Sequence, residues 1–193
     1  MAEIGGPLAH HMAVHIVAMN VAAPAMVLLW RAWVPAGMPA WSRWLWPAAA
    51  LQLALLLGWH LPTVLPAALA SGAALAAMHV SLFLAALCFW LAVVDAAAAT
   101  AWRSLAALLV TGKIFCLVGV LLAFAPRPLY TALASAHHGM PLPAGGQLAD
   151  QQLAGLLMLI ACPLAYVLAG IVIAARWLAA LERQPPSARW RAS

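Results

Sequence analysis

The sequence predicts an all-α fold: a polytopic membrane helix bundle of about five transmembrane helices with its N-terminus outside. Three observations carry that expectation. The 193 residues are 67% hydrophobic and only 7% charged, where an ordinary soluble domain carries about 25% charged residues. Five apolar stretches approach the ~20 residues that cross ~30 Å of hydrocarbon as a helix. The arginines gather at alternate ends of those stretches, as the positive-inside rule requires of a chain threaded back and forth through a membrane.

Taken in order, the first stretch runs from His10 to Trp30 and the second from Leu45 to Trp59. The second is short, and its Pro47 suits a first helical turn, where the missing N–H has no partner to lose. Leu61-Pro62-Thr63-Val64-Leu65-Pro66 follows, and its two prolines predict a turn with a short interfacial helix. The third stretch is Ala73–Val94, the fourth Leu105–Phe124 and the fifth Leu153–Trp177. Alanine runs such as Ala96-Ala97-Ala98-Ala99 allow close helix approach. No internal repeat stands out. Residues 1–184 read as a single transmembrane domain, and Pro185-Pro186 opens a disordered, basic cytoplasmic tail over 185–193.

One set of helix ends carries Arg31, Arg43, Arg103, Arg176, Arg183, Arg189 and Arg191; the other carries only Arg127. The crowded side is therefore assigned to the cytoplasm, and Trp30, Trp33, Trp41, Trp44 and Trp46 form an aromatic belt on it. The expected location is the cell inner (plasma) membrane, crossed several times. The net charge of +5 is explained by topology, so nucleic acid is not an expected partner. No basic region precedes the first apolar run, so no cleavable signal peptide is expected. Cys88, Cys116 and Cys162 sit in separate apolar runs with no CxxC pair and read as buried free thiols. No Ser/His/Asp set, carboxylate pair or phosphate loop supports hydrolysis, and no enzyme activity is expected.

The same topology sorts the seven histidines to one face. His10, His11 and His15 begin the first helix, His60 ends the second, and His79 lies near the start of the third. His137 and His138 fall in the loop before the fifth. Arginines alone set the topology, so this convergence is an independent observation. On a helix His11, His15, Met12 and Met19 share an arc of about 100°. Imidazole and thioether together favour copper, with thioether selecting Cu(I). The expected ligands are His11, His15, His60 and His79, with Met12 and Met19 as softer candidates. A haem held by two histidines, His60 with His79, is the rival. Met26 continues the methionine stripe but reads as core packing. Asp150 reads as the cap of the fifth helix or a supporting residue near the metal. Asp95 reads as solvated. Lys113, mid-helix, either snorkels or pairs with an oxygen acceptor.

A family resemblance rests on His11-Met12-x-x-His15 with Met19 and Pro24, on Trp59-His60-Leu61-Pro62, and on His79-Val80-Ser81 with Phe89-Trp90. Its most distinctive element is Asp150-Gln151-Gln152-Leu153-Ala154-Gly155 with Met158. In this order the chain resembles the integral-membrane CtaG family of caa3-type cytochrome c oxidase assembly factors. It departs from the pattern at Leu75, where the family often has histidine, and at Leu65-Pro66. The resemblance implies a factor that handles copper at the extracytoplasmic face and helps metallate the copper centres of the respiratory oxidase. The implied partners are cytochrome c oxidase subunits, and a second copy of the chain is a further candidate. A metal-free assembly scaffold is the other reading left open.

Overall fold

The computed structural model describes residues 6–34, 41–97, 100–130 and 144–183, and every regular element among them is helical. The order is α1 (Pro7–Val17), a π-helix (Ala18–Ala22), α2 (Ala23–Trp33), a 3₁₀ helix (Trp41–Trp44), α3 (Leu45–Trp59), α4 (Val64–Leu69), α5 (Gly72–Val94), α6 (Ala101–Phe124) and α7 (Ala144–Glu182). Four segments are long and apolar enough to cross a membrane: Pro7–Trp33, Gly72–Val94, Ala101–Phe124 and Gly145–Glu182. The 15 residues of α3 rise only about 22 Å. The 3₁₀ turn just ahead of it adds about 8 Å of chain at ~2 Å per residue. Val17, Leu29, Leu117, Ile160 and Ile171 point outward and stay exposed, the apolar surface that hydrocarbon, not water, tolerates.

The first membrane segment is not one continuous α-helix. Pro24 has no N–H, so it cannot close the helical ladder behind it. The backbone widens to a π-turn in which Ala23 N–H reaches back to Ala18 O, and Trp90 Nε1–H donates to Met19 O at 2.9 Å in place of the missing proline N–H. The extra residue rotates everything beyond it by about 100° relative to a regular helix. Met26 therefore leaves the buried stripe and is 49% exposed, which corrects its reading as core.

Packing follows from small residues and one aromatic knot. α6 and α7 lie against each other along much of their length. They meet where a Cβ on Gly155 would stand 2.5 Å from Ala123 N and 2.8 Å from Gly119 O, so only glycine permits that approach. Phe89, Trp90, Phe115 and Tyr166 cluster with ring centroids no more than 6.0 Å apart along the chain of contacts. Gln52 Nε2–H donates to the buried Tyr166 Oη at 2.9 Å.

The two ends of the bundle are fastened differently. At the arginine end, Arg31 forms an ion pair with Asp95, whose other oxygen accepts the Trp41 N–H at 2.5 Å. Asp95 thus ties α2, the 3₁₀ helix and the end of α5 together and is not merely solvated. At the histidine end α7 begins at Ala144, nine residues before the expected Leu153. The turn and short helix expected around Pro62 and Pro66 are present, with α4 as the helix. Lys113 is exposed on α6 with no ion pair among the described residues. Cys88, Cys116 and Cys162 are free thiols. His137, His138 and the tail 185–193 lie outside the described residues.

Candidate metal centre

Three elements deliver the histidines. The i, i+4 spacing on α1 puts His11 and His15 on one face, edge to face, and both are buried. His60 closes α3, and His79 sits two turns into α5. His15 lies eight residues past the start of α1, about 12 Å down its axis. The four rings meet there. Ring centroids are 4.3 Å apart for His11 and His15, 5.9 Å for His11 and His60, and 5.6 Å for His11 and His79. They are 5.5 Å apart for His15 and His60, and 4.7 Å for the stacked pair His15 and His79.

Backbone carbonyls orient two of the rings. His60 Nδ1 lies 2.7 Å from Leu56 O and His79 Nδ1 lies 2.8 Å from Leu75 O. A carbonyl only accepts, so each Nδ1 carries the proton and each Nε2 keeps its lone pair. This is the supporting arrangement that fixes tautomer and ring direction in metal-ligating histidines. His60 Nε2 is buried and has no hydrogen-bond partner, an arrangement that costs about 1–3 kcal/mol unless something fills it. His11 Nε2 and His15 Nε2 are 2.9 Å apart, so one lends the other its proton; a cation could replace that proton and be shared by both. Ligand atoms of His11, His15 and His60 lie within 4.8 Å of one another; His79, whose ring touches those of His11 and His15, is not part of that close set. Two nitrogens each about 2 Å from one ion are at most about 4 Å apart, so closure on a metal needs a contraction of under about 1 Å. Met12 and Met19 are buried beside them and line, with His15 and His60, a cavity of ≈ 20 Å³. Burial holds the His60 imidazole, just past the end of α3, below its ordinary range.

The support of this pocket is where sequence reasoning went astray. Asp150 does not cap its own helix; it lies inside α7 and caps α1. Its carboxylate accepts from Gly6 N–H at 2.8 Å, Leu8 N–H at 2.9 Å and Ala9 N–H at 3.0 Å, the orphan donors of a helix that starts on glycine and proline with no side-chain cap of its own. Gln151, buried next to it, receives Leu129 N–H on Oε1 at 2.6 Å and donates from Nε2 to Leu122 O at 3.1 Å. It thereby stitches the end of α6 and the following loop to α7. In that loop Tyr130 Oη–H donates to His60 O at 2.8 Å. Burial pushes the Tyr130 phenol up to about 12, so it remains a donor at neutral pH. Trp59 Nε1–H donates to Ser81 Oγ at 3.1 Å, linking the end of α3 to the middle of α5. Each supporting residue except Tyr130 belongs to a motif quoted for the family resemblance. The sequence marked them but not their partners, which lie 22 to 144 positions away.

A helical membrane bundle with four imidazoles gathered at one end, three of them buried, defines a multi-pass membrane protein with a clustered histidine site. The chain belongs to the cytochrome c oxidase caa3 assembly factor family (Caa3_CtaG), whose profile matches residues 7–180. Neither the comparison with curated proteins nor that with solved structures finds a match. Family membership makes it a membrane factor for cytochrome c oxidase assembly, a role that points away from catalysis.

Proposed function

We propose that the protein carries Cu(I) to cytochrome c oxidase, holding the ion as cargo between His11, His15, His60 and His79. Met12 and Met19 offer thioethers from below. The observation that carries the reading is the buried, unpartnered Nε2 of His60 beside the paired Nε2 atoms of His11 and His15: a basic lone pair left without a proton donor suits a cation. The donor set of imidazole and thioether favours Cu(I) among available metals. The rings are in contact, with His15 stacked on His79. That arrangement favours an ion over a haem, whose plane needs an open slot between its axial ligands.

In this reading the arginine-rich end faces the cytoplasm of the cell inner membrane and the N-terminus lies outside. The pocket then opens toward the compartment where the oxidase subunits receive copper. No bond of the client is broken or made except to the metal, so the protein acts as a donor and not as an enzyme. Two experiments test this together. Purified protein in detergent micelles should take up Cu(I) against a chelator, and a strain carrying alanine at His11, His15, His60 and His79 should make oxidase lacking copper. Wild-type protein that binds no Cu(I), or a quadruple variant that still yields fully metallated oxidase, would remove the copper role and leave a scaffold. A Soret band in the purified protein would transfer the site to haem.

A further inference from the structure

The cavity beneath the histidines has a second half that the four imidazoles do not use. Its ≈ 20 Å³ is lined by His15, His60, Met12 and Met19, and also by Met158 and Cys162 of α7. That volume admits about one water molecule or one bare ion. Every atom of strong metal affinity in its wall is an imidazole nitrogen or a sulfur, and Leu56 and Phe115 fill much of the remainder. His60, more than nine-tenths buried, lines the same void and has its Nε2 without a partner.

We infer that Cys162 and Met158 complete a second, sulfur-rich position for Cu(I), contiguous with the histidine position and sharing His15 and His60 with it. The inference rests on the copper reading above and extends it to residues of the last helix. The chemistry is a ligand exchange with no change of oxidation state. Cu(I) leaves nitrogen donors for softer sulfur, the Cys162 S–H bond gives way to an S–Cu bond, and the proton is released to the medium. Asn20 Nδ2–H donates to Cys162 Sγ at 3.4 Å, which holds the sulfur at the cavity wall that both residues line. The π-turn is what puts Asn20 there, since it lies inside the widened segment. A position of this kind gives a carrier two affinities for one ion, a nitrogen-dominated state near the histidine end and a sulfur-dominated state further into the bundle.

The test is anaerobic loading of the full-length protein in detergent micelles with one equivalent of Cu(I), followed by X-ray absorption at the copper edge and a chelator titration. The expected wild-type spectrum contains sulfur as well as nitrogen scatterers. Cys162→Ala and Met158→Leu should each reduce the sulfur contribution and weaken Cu(I) binding by more than the ~10-fold that losing even an outer partner costs, with the melting temperature monitored to show that the variant is folded. Cys162→Ser preserves volume and should behave like Cys162→Ala, which keeps the test decisive if the alanine variant does not fold. A nitrogen-only shell in wild type overturns the sulfur position and leaves the histidine site standing. So does a sulfur contribution that survives both Cys162→Ser and Met158→Leu. Wild-type protein with no bound Cu(I) at all overturns the copper reading itself, a distinct result.

Discussion

Replacing Asp150 by alanine removes the acceptor of three backbone donors at the start of α1 in one step. Gly6 N–H is only partly buried and can turn to water, whereas Leu8 and Ala9 N–H are buried. Two buried donors left without a charged acceptor, at about 1.5 kcal/mol each, give a loss of about 3 kcal/mol, or about 6–12 °C in melting temperature for a chain of this length. The assay is thermal unfolding in detergent micelles. A double-mutant cycle sharpens it. A Cβ at Gly6 would lie 2.6 Å from Asp150 Cγ, so Gly6→Ala should cost about 1–3 kcal/mol in the wild-type background. It should cost under about 0.5 kcal/mol once the carboxylate is gone, giving a strongly sub-additive pair. An Asp150→Ala protein that melts within about 1 °C of wild type, or a Gly6→Ala cost that is the same in both backgrounds, would refute the latch.

Under the proposed copper role, losing a ligand should do more than losing a supporting residue: His60→Ala is expected to weaken Cu(I) binding by at least about 100-fold, beyond the 10–100-fold typical of outer partners, as read by chelator competition. Copper affinity should fall on acidification, because protons compete for the same imidazole lone pairs; isothermal titration between neutral and mildly acidic pH checks the direction. His60 is held neutral by burial, so its contribution to stability is complete above the ordinary imidazole value of about 6.5 and is lost as pH falls below it. The melting temperature of metal-free protein should drop in that window, and drop less for His60→Leu. Gly155→Ala drives a Cβ into backbone atoms of α6 that cannot turn aside and should cost about 3 kcal/mol or abolish folded yield. Gly58→Ala meets nothing within 4 Å and serves as the neutral control in the same expression assay.

Much of the architecture was legible because hydrocarbon imposes a simple rule: apolar runs of sufficient length become helices. The histidine sorting was legible for the same reason, since an imidazole in such a run is conspicuous. What was not legible depends on partners remote in sequence. Asp150 stands where a cap for the last helix is expected, and only the packing of α1 against α7 reveals that it caps the first. Asp95 reads as a solvated carboxylate until Arg31 is brought to it. Met26 was misplaced because a constant helical period was carried through Pro24, and the proline itself was the available signal that the period would change. Met158 was visible within the family motif and Cys162 as a buried thiol. Neither could be joined to His60 without the cavity they share.

The contact between Gly6 and Asp150 spans 144 positions, and this has a bearing on biosynthesis. His11 and His15 leave the ribosome early, while the carboxylate that anchors their helix is made only when the last membrane segment is being inserted. A chain that stops before α7 therefore lacks the carboxylate that seats its first helix, and with it the support of the histidine cluster. The histidine end is thus assembled only once α1 and α7 have both been made and have met.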